Sequence, residues 1–150
     1  MPQPAFRFQP LLNLREQRRD TIRGALAELN RRMAEVDAQR MALIEEQVNQ
    51  QDELRAFSTS AVYPVERAAA RRYHLGQLSR QMATLDQQRQ QLADSTQKVL
   101  ELLVSADQDV KVLEKLSEKQ AEELRRKLLN REERERDDIW LANHIQEFRR

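Results

Sequence analysis

The side chains able to do chemistry are few in kind and poorly placed for it. The two histidines, His74 and His144, lie about 70 residues apart and fall in no metal-ligand spacing. There is no cysteine, which excludes disulfides and thiolate metal sites and fits a reducing compartment. Carboxylates are plentiful, but they are mixed with cations on what read as exposed faces. No pair is therefore set apart for acid–base work. Gly24 and Gly76 are isolated inside helical pattern, so no glycine-rich loop is available to cradle a phosphate. The sequence predicts no catalytic residue, no metal, no cofactor and no small-molecule substrate. It does not read as an enzyme.

Charge narrows the partners. Lys and Arg number 26 against 25 Asp and Glu, a net charge of +1 with both signs interspersed, which offers no electrostatic case for nucleic acid. Arg7, Arg15, Arg18, Arg19 and Arg23 form a basic stretch suited to phosphates or an acidic membrane surface. Glu16 and Asp20 interrupt it, and it reads as the flank of an amphipathic helix. The amino terminus, Met1 to Phe8, lacks the apolar core of a secretory signal. No apolar run approaches the 18 residues that a membrane span needs.

The elements that must carry any binding surface are long helices. Charged residues make up 34% of the chain and aromatics 5%, with two glycines and four prolines, the composition of extended helix rather than of a globular core. After Pro64, apolar residues recur at spacings of three and four: Leu75, Leu78, Met82, Leu85, Leu92, Val99, Leu103, Ala106, Val110, Leu113 and Leu124. Arg89, Thr96, Ser117 and Gln120 take the frame positions between them. This is a heptad seam sustained well beyond the three or four repeats that define a coiled coil. A second frame runs through Leu12, Ile22, Leu26, Leu29, Met33, Val36, Leu43, Leu54 and Phe57, passing also through Arg15, Arg19, Arg40, Gln47 and Gln50.

Between the frames, Ser58-Thr59-Ser60 compete with helical backbone bonds, and Pro64 pushes Tyr63 towards an extended conformation. The expectation is an all-α protein: a long antiparallel two-helix coiled-coil hairpin forming one domain over 1–150. Helix one is expected at about 11–57, the turn at 58–64, and a longer, overhanging helix two at about 65–148. Folding about residue 62 makes facing residue numbers add to about 125, with Leu12 beside Leu113. A slip of one heptad, to 132, is nearly as good. The overhang is densely charged from Glu114 to Asp138, the mark of a solvated helix face. Trp140, Leu141, Ile145 and Phe148 then restore an apolar stripe that has no partner inside the hairpin, a possible further partner surface.

Three segments resemble the flagellar FliJ family, soluble coiled-coil components of the type III export apparatus. Phe6-Arg7-Phe8-Gln9-Pro10-Leu11-Leu12-Asn13-Leu14-Arg15-Glu16 is similar to its aromatic–basic–aromatic opening followed by Leu-Leu and a basic helix. Tyr73-His74-Leu75-Gly76-Gln77-Leu78 resembles its Tyr-x-Leu-x-x-Leu segment, and Lys111-Val112-Leu113-Glu114-Lys115-Leu116 resembles its Val-Leu-Glu-Lys-Leu run. The resemblance implies a stalk, similar to that of rotary ATPases, whose terminal end inserts into the hexameric export ATPase. It further implies that the turn-side half engages the cytoplasmic domain of the export gate, and that export chaperones are partners. It maps ATPase binding onto Phe6, Phe8, Leu11, Leu12 and Arg15. Gate binding falls on Gln39, Leu43, Gln50, Tyr73, His74 and Leu78, of which Leu43 and Leu78 are also seam positions. The implied location is cytoplasmic, at the inner membrane face through partners only. Two alternatives stand beside it: a dimeric scaffold or chaperone-like coiled coil, and the equivalent stalk of an injection-type secretion system.

Overall fold

The computed structural model describes residues 4–149; Met1, Pro2, Gln3 and Arg150, within the span and the amino-terminal stretch read above, lie outside the described residues. Two helices make up the fold, α1 (Gln9–Ser58) and α2 (Val65–Phe148), with no strand among the described residues. Both boundaries follow from local chemistry. Before α1, the Gln9 and Leu12 amides donate to the Phe6 and Phe8 carbonyls at 3.0 and 2.9 Å, closing the first turn around Pro10, which has no amide to satisfy. At the end of α1 the Ser58 and Thr59 hydroxyls donate to the Arg55 and Ala56 carbonyls at 2.6 and 2.9 Å, taking up acceptors that the ending helix leaves open. The Pro64 carbonyl then accepts from the Ala68 amide at 2.9 Å and starts α2, with Glu66 in the favourable first turn.

The two heptad frames are the buried surface. Every α1 frame position from Leu12 to Phe57 is buried or half-buried, and so is every α2 position from Leu75 to Leu124 except Arg89. Ala68 and Arg71 extend the α2 frame towards the turn, and Ala68 is only 1% exposed.

By internal packing the chain divides into two compact units, each drawing on both helices. The terminal unit joins the residues up to Arg19 to those from Ser105 onward, and the middle unit is Asp20–Val104. The core of the terminal unit is Leu12, Val110 and Leu113, with Phe6 packed against them. In the middle unit Val36, Ala68 and Leu78 are the buried apolar residues.

Arg15, Arg40, Arg71 and Arg89, which interrupt the frames, turn sideways to acids on the facing helix. With Leu12 and Leu75 both at heptad position a, Arg40 and Arg89 are a residues whose Nε atoms lie 2.8 Å from Asp86 Oδ1 and Asp37 Oδ1, both at position e. Gln47 reaches Ser79 Oγ in the same a-to-e sense at 3.5 Å. Arg15 and Arg71, at position d, reach Asp109 at 3.2 Å and Glu53 at 2.8 Å, both at g. The a-to-e partners have numbers adding to 126 and the d-to-g partners to 124. They bracket the Leu12–Leu113 layer at 125 and establish that register over 132. The helices are antiparallel.

Candidate partner-binding surfaces

In the terminal unit the five residues assigned to ATPase binding have different fates. Leu12 is buried at 7% exposure, Phe6 packs on the core, and Arg15 is held by Asp109. Phe8 and Leu11 remain exposed. The Phe6 and Phe8 rings meet edge to face with centroids 5.9 Å apart, and the Arg7 guanidinium lies 5.7 Å over the Phe8 ring. Phe6 thus anchors the segment that presents Phe8. Leu14, Val112 and Leu116, apolar residues of the resemblance motifs that the ATPase assignment leaves out, are also exposed. Leu11 and Leu116 occupy position g, and Leu14 and Val112 position c, so all four lie along the g side of their helices. The available signal was an apolar residue off the seam frame within a resemblance motif.

In the middle unit the six residues assigned to the gate separate into four settings. Gln39 and Leu43 line an open groove of about 470 Å3 together with Ala42, Gln81, Thr84 and Leu85. Tyr73 is exposed, whereas Leu78 is buried at 3%. Gln50 and His74 belong to a polar chain across the helices. Glu46 Oε1 accepts from Gln50 Nε2 at 2.8 Å and lies 3.3 Å from His74 Nε2, while Gln50 Oε1 accepts from Arg71 at 3.1 Å and Arg71 pairs with Glu53. These bonds satisfy the amide of Gln50, a seam residue only 5% exposed. The Gln50 hydrogen bond first, and His74 second, hold the Glu46 carboxyl below the usual carboxylate range. A second recess in this unit, of about 400 Å3, lies among Asp37, Arg40, Met41, Asp86 and Arg89. On the outer face of α1, Glu28 accepts from Arg31 at 2.6 Å and from Arg32 at 3.2 Å, and Arg31 also pairs with Glu35. The arginine bonds, Arg31's foremost, bring Glu28 down to about 2.

The end of α2 has no cover. From Ala121 to Arg149 every residue is exposed except Leu124 and His144. The His144 ring stacks on Trp140 with centroids 4.0 Å apart, while Leu141 and Ile145 are about half-exposed and Phe148 is 90% exposed. Arg126–Glu122 and Arg131–Glu135 are ion pairs along the helix at 3.0 and 3.2 Å.

Among the described residues no group of three or more His, Cys, Asp or Glu could hold a metal ion, and no helix is long and apolar enough to cross a membrane. What the molecule offers is surface: apolar residues on the g side of the terminal unit, a groove in the middle unit, and a bare helix end. The sequence model of the family described as "Flagellar FliJ protein" matches residues 4–148. Comparison with curated proteins and with solved structures returned no match. With a family match running nearly from end to end over the expected helical hairpin, the chain belongs to the flagellar FliJ family.

Proposed function

We propose that this protein is a non-enzymatic stalk and coupling component of the flagellar type III export apparatus. It enters the hexameric export ATPase with its terminal unit, meets the cytoplasmic domain of the export gate with its middle unit, and assists export chaperones. It works in the cytoplasm and reaches the inner membrane face through these partners. The observation that carries the reading is the family match across residues 4–148. The accessible part of the ATPase-facing surface is Phe8 and Leu11 with Leu14, Val112 and Leu116, while Phe6, Leu12 and Arg15 hold that surface in shape. The gate-facing surface is the groove at Gln39 and Leu43 together with exposed Tyr73. Exposed ion pairs are individually weak, so a charged helix beside the ATPase-facing residues favours contacts that slide over ones that lock.

The test is ATP hydrolysis by the cognate export ATPase, with and without this protein, beside a Phe8→Ala/Leu14→Glu variant. Both positions are exposed, so the variant keeps its helicity. Stimulation by the native chain, lost in the variant, is the expected result. Absence of both stimulation and co-elution with the ATPase refutes the stalk reading and favours the scaffold.

A further inference from the structure

We infer that the bare end of α2 pairs with a second copy of itself, antiparallel, about a two-fold axis between Glu132 and Glu133. The seam frame continues unbroken beyond the hairpin, through Leu124, Lys127, Arg131, Arg134, Asp138, Leu141, Ile145 and Phe148. With facing numbers adding to 125, Pro4, the first described residue, falls opposite Ala121. The described part of the chain has nothing left to cover the frame past that point.

Charge selects a second copy and its direction. Parallel copies would stack Lys127, Arg131, Arg134 and Asp138 each on its own equivalent, four successive like-charge layers. Antiparallel copies whose facing numbers add to 265 remove two of these, those at Lys127 and Asp138. Leu124 then faces Leu141 of the partner subunit, and Lys127 faces Asp138 of the partner subunit, each twice by symmetry. The side-chain rules seen inside the hairpin supply the rest, since a reaches e at one number more and d reaches g at one number fewer. Arg131 then reaches Glu135 of the partner subunit, and Lys127 adds Asp137 of the partner subunit. The like-charge layer that remains, Arg131 on Arg134 of the partner subunit, also occurs twice, and each sits beside a Glu135, as Arg40 and Arg89 sit beside Asp86 and Asp37 in the hairpin. A slip of one heptad, to 272, pairs Leu124 with Phe148 of the partner subunit and Arg134 with Asp138 of the partner subunit, but by the same side-chain rules it leaves Lys127 and Arg131 with no acid to reach, unlike Arg40 and Arg89 in the hairpin.

The experiment is sedimentation equilibrium of the full chain over a concentration series reaching the millimolar range. The native mass should rise from one chain to two, and Leu141→Glu/Ile145→Glu should remain at one. Lys127→Glu should weaken self-association by about tenfold, and adding Asp137→Lys and Asp138→Lys should restore it. Register is read separately. The native chain has no cysteine, and Leu124 and Leu141 lie roughly 25 Å apart along one helix, so Leu124→Cys/Leu141→Cys can form disulfides only between copies. Oxidation should yield a covalent dimer from this variant and not from Leu124→Cys/Phe148→Cys. A single-chain mass throughout overturns the inference and leaves the stripe to a different protein. A dimer indifferent to Leu141→Glu/Ile145→Glu, or one that cross-links through Leu124→Cys/Phe148→Cys, overturns the pairing.

Discussion

One helix, α2, carries the same heptad frame through two different fates. Between Leu75 and Leu124 every frame position except Arg89 is buried or half-buried; beyond Leu124, the frame residues from Lys127 to Phe148 are all exposed. Neither propensity nor continuity separates the two stretches, since both are regular α-helix. The difference is the facing chain. In the covered stretch the frame residue Arg89 turns to Asp37 on α1. In the bare stretch, ion pairs such as Arg126–Glu122 and Arg131–Glu135 link residues of the same helix. An amphipathic helix draws most of its stability from what it packs on, so the covered stretch carries the fold. The bare stretch adds little to it.

That comparison is broken most forcefully by large-to-small changes in the two stretches. Leu78→Ala, at a site 3% exposed, should destabilise the hairpin by about 2–5 kcal/mol in urea unfolding followed by circular dichroism. Leu141→Ala, about half-exposed, should change the same curve by less than about 0.5 kcal/mol in dilute solution. Equal losses at both sites would mean that the end of α2 is covered in the single chain.

A gain is expected next. Gly76 lies within the covered stretch of α2, and an added Cβ would meet nothing within 4 Å. Gly76→Ala should therefore raise stability by roughly 0.5–1 kcal/mol, chiefly by restricting the unfolded chain. A loss would reveal a close approach at that face.

Smaller still is the coupling between Arg40 and Asp86. Their side chains are 42% and 52% exposed, so a double-mutant cycle should return less than about 1 kcal/mol, shrinking as salt is raised. The value of such pairs lies in register. In the 132 register Arg40 would meet Ala93 and Arg89 would meet Ile44, leaving both cations without an acid.

The smallest effect is that of pH. Glu28 and Glu46 are held below their ordinary range in the folded chain, by Arg31 and Arg32 and by Gln50 and His74 respectively. A carboxyl depressed on folding stabilises above its unfolded value and loses that contribution as pH falls through the folded one. The melting temperature should drop slightly as pH falls from about 4.5 towards 2, and Glu28→Gln should flatten part of that drop. A rise in melting temperature over that window would contradict the sign.

Much of this fold was legible because the seam is a period, and a period survives in one dimension. Helix ends, the Ser/Thr turn and Pro64 were readable for the same local reason. Ala68 escaped because a frame begun at Leu75 misses a small residue that fits where the helices close near the turn. The register stayed open because apolar layers match nearly as well at 125 as at 132. The flanking acids Asp37, Asp86 and Asp109 discriminate, and they lie off the apolar frame. Site residues were the least legible. A motif match runs along the chain, whereas accessibility depends on the face. The match therefore included the buried Leu12 and Leu78 and passed over Leu14, Val112 and Leu116.

The central claim, that one frame is covered up to Leu124 and bare after it, is tested most directly by amide hydrogen exchange along α2 in dilute protein. Slow exchange is predicted for 75–113 and fast exchange for 125–148, since amides of an unsupported helix open locally. Equal protection along both stretches in single chains would contradict the account.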